Sequence, residues 1–568
     1  MTRRIASFRS SLVLSAAFVA AAALVPLSAR AQSDTNDPRA HLKAGLYDAG
    51  VASKGLDLIA HVNKPDDFHP NDPGGLTYAN SDLAFGGHYV YQGNFSGFQI
   101  WDVSNPAKPV LTNHVVCFTE QGDVSVYGHL LFVSAENTGS RLDCGTQGIQ
   151  DSVSKERMIG VRIFDISNPK APKQVADVET CRGSHTHTLV QDPNDKGVIY
   201  VYVSGLARVR STSEMAGCEG GDITDPNTAL FRIEVIRVPL AHPEQAKIVS
   251  SPRIFNDLTA PPTHGVAVAD TANGAAVKAA KRFLGRLGMP ATASAADSDK
   301  AARLVADVMN FRNDTVKTKA AIDSLKAMGL NLRIPGGGAR GGPSQCHDIT
   351  VYPSAHYAAG ACSGYGLLLN ITDPTHPVRL QAVADSNFSF WHSATFANDA
   401  SKLLFTDEWG GGTQPKCRAT DPIDSTKLVL GGYWAGYYYN GYIYGSEIAR
   451  GLDVFKLTPT ADLTQNEIDA AKLVHFDLLN PQDQPKIVWP AAFPVALAYV
   501  DQLKRDNGLP ADRLTSIENA LEAARSSSGA KRAATLKKLG AVLTHDAQSA
   551  SDTKRVKLLE GVVKGLEK

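Results

Sequence analysis

With 568 residues, 43% of them hydrophobic, the chain is long enough for one large domain with additions and too apolar for global disorder. Lysine plus arginine and aspartate plus glutamate both total 57, so the formal charge is zero; no basic excess points to nucleic acid and no acidic excess to a cationic partner.

From its start, the sequence sets Arg3, Arg4 and Arg9 before an alanine-rich apolar run from Leu12 to Leu27, followed by Ala29, Arg30 and Ala31. That is the pattern of a secretory signal peptide over residues 1–31, cleaved after Ala31. The run is short for a membrane span and ends in a small-x-small motif. No other stretch is apolar enough to cross a bilayer, so the mature chain is expected to be periplasmic or secreted, without a transmembrane span. An exported chain can keep disulfides. Of seven cysteines, Cys346 and Cys362 flank two short strands that a hairpin would bring opposite each other. Cys117 with Cys144 and Cys181 with Cys218 are paired only by nearness in sequence, and Cys417 is left over. Neither a CxxC nor a Cys-His cluster of zinc-finger spacing occurs.

Residues 32–75 are polar and turn-rich and read as an extended N-terminal segment. Beyond them one stretch recurs: Gly97 to Pro109, an apolar strand, then Asp102, then a turn with Pro106 and Pro109. It returns at Gly160 to Pro172 and at Gly366 to Pro377, with a truncated copy at Gly451 to Pro459 and a degenerate one at Phe231 to Pro243. A repeated strand-and-turn unit cannot bury its own apolar face and must stack on its neighbours. Sets of short strands joined by tight turns open near Ser81, Asp123, His185, His347, His392 and Tyr437, and a seventh would open at His264.

The reading is therefore all-β: a six- or seven-bladed β-propeller of four-stranded antiparallel blades over residues 76–460. Residues 275–335 interrupt it as a helical insert, with amphipathic spacing at Leu304, Val305, Val308 and Met309 and again at Ile322, Leu325 and Met328. The glycine-rich link from Pro335 to Pro343 lacks the ending of a phosphate loop and reads as a connector. Residues 461–568 carry helix signals, among them a capping box from Thr464 to Glu467, and form a small C-terminal helical module joined through Asn480 to Pro485.

The repeat, Gly-apolar-x-Ile-apolar-Asp-apolar-Ser-Asn-Pro, resembles the LVIVD repeat of exported bacterial β-propeller proteins. So do Asn80 to Phe85, Gln345 to Pro353, Trp391 to Phe396, Phe405 to Gly412 and Ile448 to Phe455. The resemblance runs over roughly residues 36–505, implies the propeller fold, and says little about activity.

If the units are blades, the first strand of each lines a central channel and equivalent positions converge. His185, His347 and His392 stand at first-strand starts, His264 joins them if its unit exists, and His187 lies two residues along on the same face. Neutral imidazoles converging from different strands suit a transition-metal ion such as copper, zinc or iron. Asp348, Asp407 and Glu408 would complete a ligand set or fix a tautomer. The competing reading is structural: such side chains often bond across blades, and Asp82 and Asp123 hold the equivalent place without a histidine. Asp407 and Glu408, followed by Trp409 and three glycines, would suit calcium or simply form a tight turn between blades.

No Gly-x-Ser-x-Gly elbow, His-Glu-x-x-His or dinucleotide fingerprint occurs, so no catalytic residue is assigned. Two functions follow. The first is a non-catalytic exported scaffold that offers its loop face, helical insert and C-terminal module to a protein or glycan partner. The alternative is a metal-dependent oxidoreductase with a histidine-lined central channel. It is similar in idea to the selenium-binding-protein propellers that act as thiol oxidases, on architecture and channel histidines alone.

Overall fold

Each clear copy of the repeat forms the third strand of a sheet. The structure, a computed structural model, describes residues 41–70, 76–221, 224–230, 232–259, 284–287, 293–310, 315–330, 343–388, 390–408 and 431–568, with positions 37, 261, 281, 289 and 290 between them. The expected signal peptide, His264, Cys417, the glycines after Trp409 and nearly all of the glycine-rich link lie outside the described residues.

After β1 (Leu56–Asn63) comes a first blade of β2 (Asn80–Gly86), β3 (Tyr89–Asn94), β4 (Gly97–Asp102) and β5 (Val110–Val116). The second blade is β6 (Val124–Tyr127), β7 (Leu130–Ala135), β8 (Gly160–Asp165) and β9 (Lys173–Glu179). The third is β10 (His187–Gln191), β11 (Val198–Val203), β12 (Glu234–Pro239) and β13 (Lys247–Ser250). The fourth is β14 (Asp348–Tyr352), β15 (Tyr357–Cys362), β16 (Tyr365–Asn370) and β17 (Val378–Val383).

A two-stranded sheet follows, β18 (Trp391–Phe396) with β19 (Leu403–Asp407). The last blade is β20 (Tyr433–Tyr439), β21 (Tyr442–Glu447) and β22 (Gly451–Leu457), with β1 as its outer strand. A short β23 (Leu478–Leu479) pairs with β2. Among the described residues there are thus five complete blades, which corrects the expected six or seven. Among the described residues the unit at His392 contributes two strands, and the one proposed at His264 lies outside them.

The repeat has a physical reason at each end. A Cβ on Gly97 would sit 1.9 Å from the carbonyl oxygen of Val115, and one on Gly160 would sit 2.0 Å from that of Val178; both backbones hold positive φ, 145° and 149°. At the far end Asp102 Oδ1 accepts hydrogen bonds from the Ser104 amide at 2.8 Å and its hydroxyl at 2.6 Å. Asp165 does the same for Ser167. Between the blades the apolar faces meet. Ala84, Phe98 and Ile100 pack on Val124, Leu131 and Val133, and Phe132 and Ile163 pack on Leu189 and Ile199. Leu83, Phe85 and Trp101 pack on Tyr439, Tyr444 and Leu452.

The ring has two unlike faces. On the face where first strands begin, long connections carry the chain from β7 to β8, from β11 to β12 and from β13 to β14. All three expected disulfides are formed, Cys117–Cys144, Cys181–Cys218 and Cys346–Cys362, and they brace this face. Glu214, fully enclosed, ties two of the long connections together through Arg157 at 2.6 Å and Arg210 at 3.0 Å. The helical insert contributes α1 (Ala295–Asn310) and α2 (Thr315–Ala327), packed through Ala301, Val305 and Leu325.

The opposite face has short turns and is crossed by residues 478–487, which the sequence offered only as a linker. Leu479 pairs with Phe85 of β2. The Asn480 side chain accepts from the Val126 amide at 2.7 Å and donates to the Val126 carbonyl at 2.8 Å. Gln191 donates to Asp483 at 3.2 Å, and the Val351 amide donates to the Gln482 carbonyl at 2.8 Å. Gln484 repeats the two-way side-chain bond on Phe396, at 2.8 and 2.7 Å. One strand of chain thus touches β2, β6, β10, β14 and β18 in turn and floors the channel.

The capping box forms as expected, Thr464 accepting from the Glu467 amide ahead of α3 (Gln465–Ala471). Beyond the floor segment, α4 (Phe493–Arg505), α5 (Ala511–Arg525), α6 (Gly529–Asp546) and α7 (Thr553–Glu567) pack round Ile517, Leu521, Leu536, Leu543, Leu559 and Val563. No helix among the described residues is long and apolar enough to cross a membrane.

Candidate metal centre

Three of the histidines singled out by sequence meet on the long-loop face. Two threonines bring their strands together: Thr186 donates to the His347 carbonyl at 2.6 Å and Thr188 to the Ile349 carbonyl at 2.5 Å, lacing β10 to β14. The Cys346–Cys362 bond fixes the stretch before His347 to β15, and the His347 amide donates to Ala361 at 2.8 Å. His185 Nε2 then lies 3.0 Å from His347 Nε2. The His347 and His392 rings are 4.1 Å apart between centroids. Glu408, whose amide donates to the Phe390 carbonyl at 2.8 Å, brings a carboxylate oxygen 3.6 Å from His392 Nε2. One donor atom from each of His347, His392 and Glu408 lies within 4.8 Å of the others.

The outer partners decide which ring nitrogens are free. Glu136 accepts from His185 Nδ1 at 2.5 Å, and since a carboxylate only accepts, Nδ1 carries the hydrogen. The His392 carbonyl likewise accepts from His347 Nδ1 at 3.1 Å. In the neutral rings both Nε2 lone pairs therefore face each other across 3.0 Å. Such a pair is stable only with a positive charge between the nitrogens, a proton or a metal ion. Burial lowers the His347 pKa, but its contact with Asp348, 3.7 Å away, outweighs this and leaves it raised. Burial and the neighbouring His347 lower that of His392. At Asp348 burial raises the pKa, and the His347 partner outweighs it to leave a lowered value.

The other expected residues go elsewhere. His187 is fully buried, with Nδ1 2.8 Å from the Ser134 hydroxyl and 3.4 Å from Asp123, and burial pushes its pKa down to about 3. It sits in the wall between blades, apart from the other three. Asp407 accepts from the Phe390 amide at 2.7 Å, so it clamps the backbone that presents His392 while Glu408 turns to the histidines. His264 lies outside the described residues. Sequence reasoning missed Glu136, which follows directly on β7, and Glu120 beside it, whose carboxyl is raised by burial and by the Glu136 charge. The one available signal was their place at the mouth of the second blade.

The LVIVD repeat family model matches residues 79–116, which are the first blade from β2 to β5. The chain carries an LVIVD repeat. No curated protein matches this LVIVD-repeat chain. Among solved structures it is similar to a Lactobacillus plantarum protein, at 10% identity and a TM-score of 0.23, covering 56% of this chain and 74% of that one. It is also similar to a hypothetical selenium-binding protein from Sulfolobus tokodaii, at 9% identity and a TM-score of 0.25, covering 65% of this chain and 75% of that one. At scores this low neither likeness bears on what the LVIVD-repeat propeller does.

Proposed function

We propose that this LVIVD-repeat propeller is a metal-dependent oxidoreductase whose ion is held by His347, His392 and Glu408, with His185 as a further imidazole. The observation that carries this reading is the opposed pair of Nε2 lone pairs on His185 and His347. Ligand nitrogens stand about 2.0–2.1 Å from such an ion, so two of them roughly 3 Å apart can share it at near a right angle. Imidazoles with one carboxylate suit copper, iron or zinc, and Glu136 behind His185 is the outer carboxylate that orients a ligating histidine. Glu408 is the most exposed of the group, its side chain 56% accessible, which leaves the ion open to a small substrate on that side. The floor segment closes the other end. The scaffold reading, with a protein or glycan partner, has no comparable observation in its favour among the described residues.

Three disulfides fit an oxidising compartment, and we place the protein in the periplasm or outside the cell. Protein isolated without chelator should carry close to one transition-metal ion per chain by mass spectrometry. His347→Ala with His392→Ala should lower this at least about tenfold, which corresponds to about 1.4 kcal/mol of binding, while circular dichroism stays unchanged. Metal-free protein with no uptake on titration would sink the proposal. Zinc alone, with no redox-active signal by paramagnetic resonance under copper or iron loading, would remove the oxidoreductase part.

A further inference from the structure

Deeper in the channel, between the histidines and the floor, stand acids with no lysine or arginine against them. Asp82 on β2 and Asp123 ahead of β6 bring two carboxylates close enough for each to act on the other. Asp82 also accepts from the Leu83 amide at 2.8 Å and from Gln482 Nε2 at 3.0 Å. Asp123 accepts from the His187 amide at 3.1 Å. Asp123 is wholly enclosed and Asp82 nearly so. Asp348 adds a third negative charge that acts on both. No lysine or arginine among the described residues hydrogen-bonds to Asp82 or Asp123.

A second observation comes from outside the acids. Gln482 reaches up from the floor segment, is 5% exposed, and its Oε1 has no partner; Asp123 Oδ1 and Ser125 Oγ, also buried, have none either. These oxygens belong to the second blade and to the floor, and the Gln482 amide that carries one of them is hydrogen-bonded to Asp82. Two facing carboxylates repel unless a positive charge stands between them, and buried oxygens without donors call for the same thing.

We infer that the floor of the channel binds a hard cation of the calcium or magnesium class between Asp82 and Asp123, with the amide oxygen of Gln482 as the neutral ligand. Carboxylate and amide oxygens are the donors such ions take. Burial pushes Asp82 up to about 6, and burial with the Asp82 charge pushes Asp123 up as well, so the empty pair is costly when both are ionised. A bound cation removes that cost. The site shares no ligand with the histidine centre.

The test uses the full chain, stripped with chelator and desalted, and heated near neutral pH with calcium chloride or magnesium chloride alone. At an ion concentration about a hundredfold above Kd, Tm should rise by roughly 2–4 °C. The rise should persist in His347→Ala with His392→Ala, which separates it from the metal reading above. It should vanish in Asp123→Asn, which in chelator should be at least as stable as the parent because one of two facing charges is gone. Should Asp123→Asn fail to fold, Gln482→Leu is expected to lose most of the rise. Indifference to both ions, or a rise that these variants keep, overturns the inference. So does an ion-indifferent stability that climbs on acidification from about pH 8 to about pH 5. That outcome would assign a proton to the pair, with Asp348, Tyr437 and His187 as the other titratable groups facing it.

Discussion

Asn480→Ala is expected to cost about 2–4 kcal/mol, because it strips both partners from the buried Val126 amide and carbonyl. Each orphaned buried backbone group costs about 1–3 kcal/mol, and alanine offers neither a donor nor an acceptor in exchange. Since Asn480 bonds to β6 while Gln484 makes the matching pair of bonds on β18, the double variant Asn480→Ala with Gln484→Ala should lose more than either alone. The two act on one floor segment, so their costs should also depart from simple addition. Urea unfolding with fluorescence readout measures this. A loss below about 0.5 kcal/mol, the range of ordinary surface substitutions, would mean that residues 478–487 merely lie against the ring.

Gly160→Ala is expected to destabilise by about 3–5 kcal/mol. The added methyl would stand 2.0 Å from the Val178 carbonyl oxygen, and that atom belongs to β9, whose ladder with β8 fixes its place. Overpacking alone costs about 1–3 kcal/mol, and a positive φ that only glycine adopts freely adds about 1–3 kcal/mol. Gly97→Ala should match it, because the Val115 carbonyl stands at 1.9 Å from the equivalent Cβ. Gly128→Ala is the control: its φ is also positive, 59°, but nothing lies within 4 Å of the added carbon. It should cost only about 1 kcal/mol. Equal losses at Gly128 and Gly160 would show that conformation rather than the facing carbonyl sets the repeat's glycine.

These two sites mark what the sequence could and could not disclose. Gly160 and Asp165 were visible because both needs are local: a strand that passes under a neighbour's carbonyl, and a turn whose serine bonds back to an aspartate two residues earlier. A local need recurs wherever the unit recurs. Asn480 and Gln484 answer distant backbone groups, at Val126 and Phe396, and no periodicity records that, so a Pro- and Gln-rich stretch looked like a linker. The blade count failed for a related reason. The His392 unit opens like the others, but its partner strands beyond β19 had to be assumed from the repeat.

The candidate centre divides in the same way. His185, His347 and His392 could be named because strand starts converge in a propeller. Glu136, which sets the tautomer of His185, comes from the blade before it and has no motif of its own. His187 shows the limit of face arguments: two residues from His185 on one strand edge, it turns to Ser134 inside the wall.

The pairing of β1 with β22 sets a schedule for the nascent chain. Leu56 meets Leu457 and Asn63 meets Gly451, so the first strand among the described residues waits for nearly the last. Until then the last blade lacks its outer strand, and β1 has an unpaired edge for as long as synthesis takes. Contacts so distant in sequence are slow to form and leave strand edges open to other chains in the interval. A chain released before about residue 457 would be left with an open ring, its last blade without the partner that β1 needs.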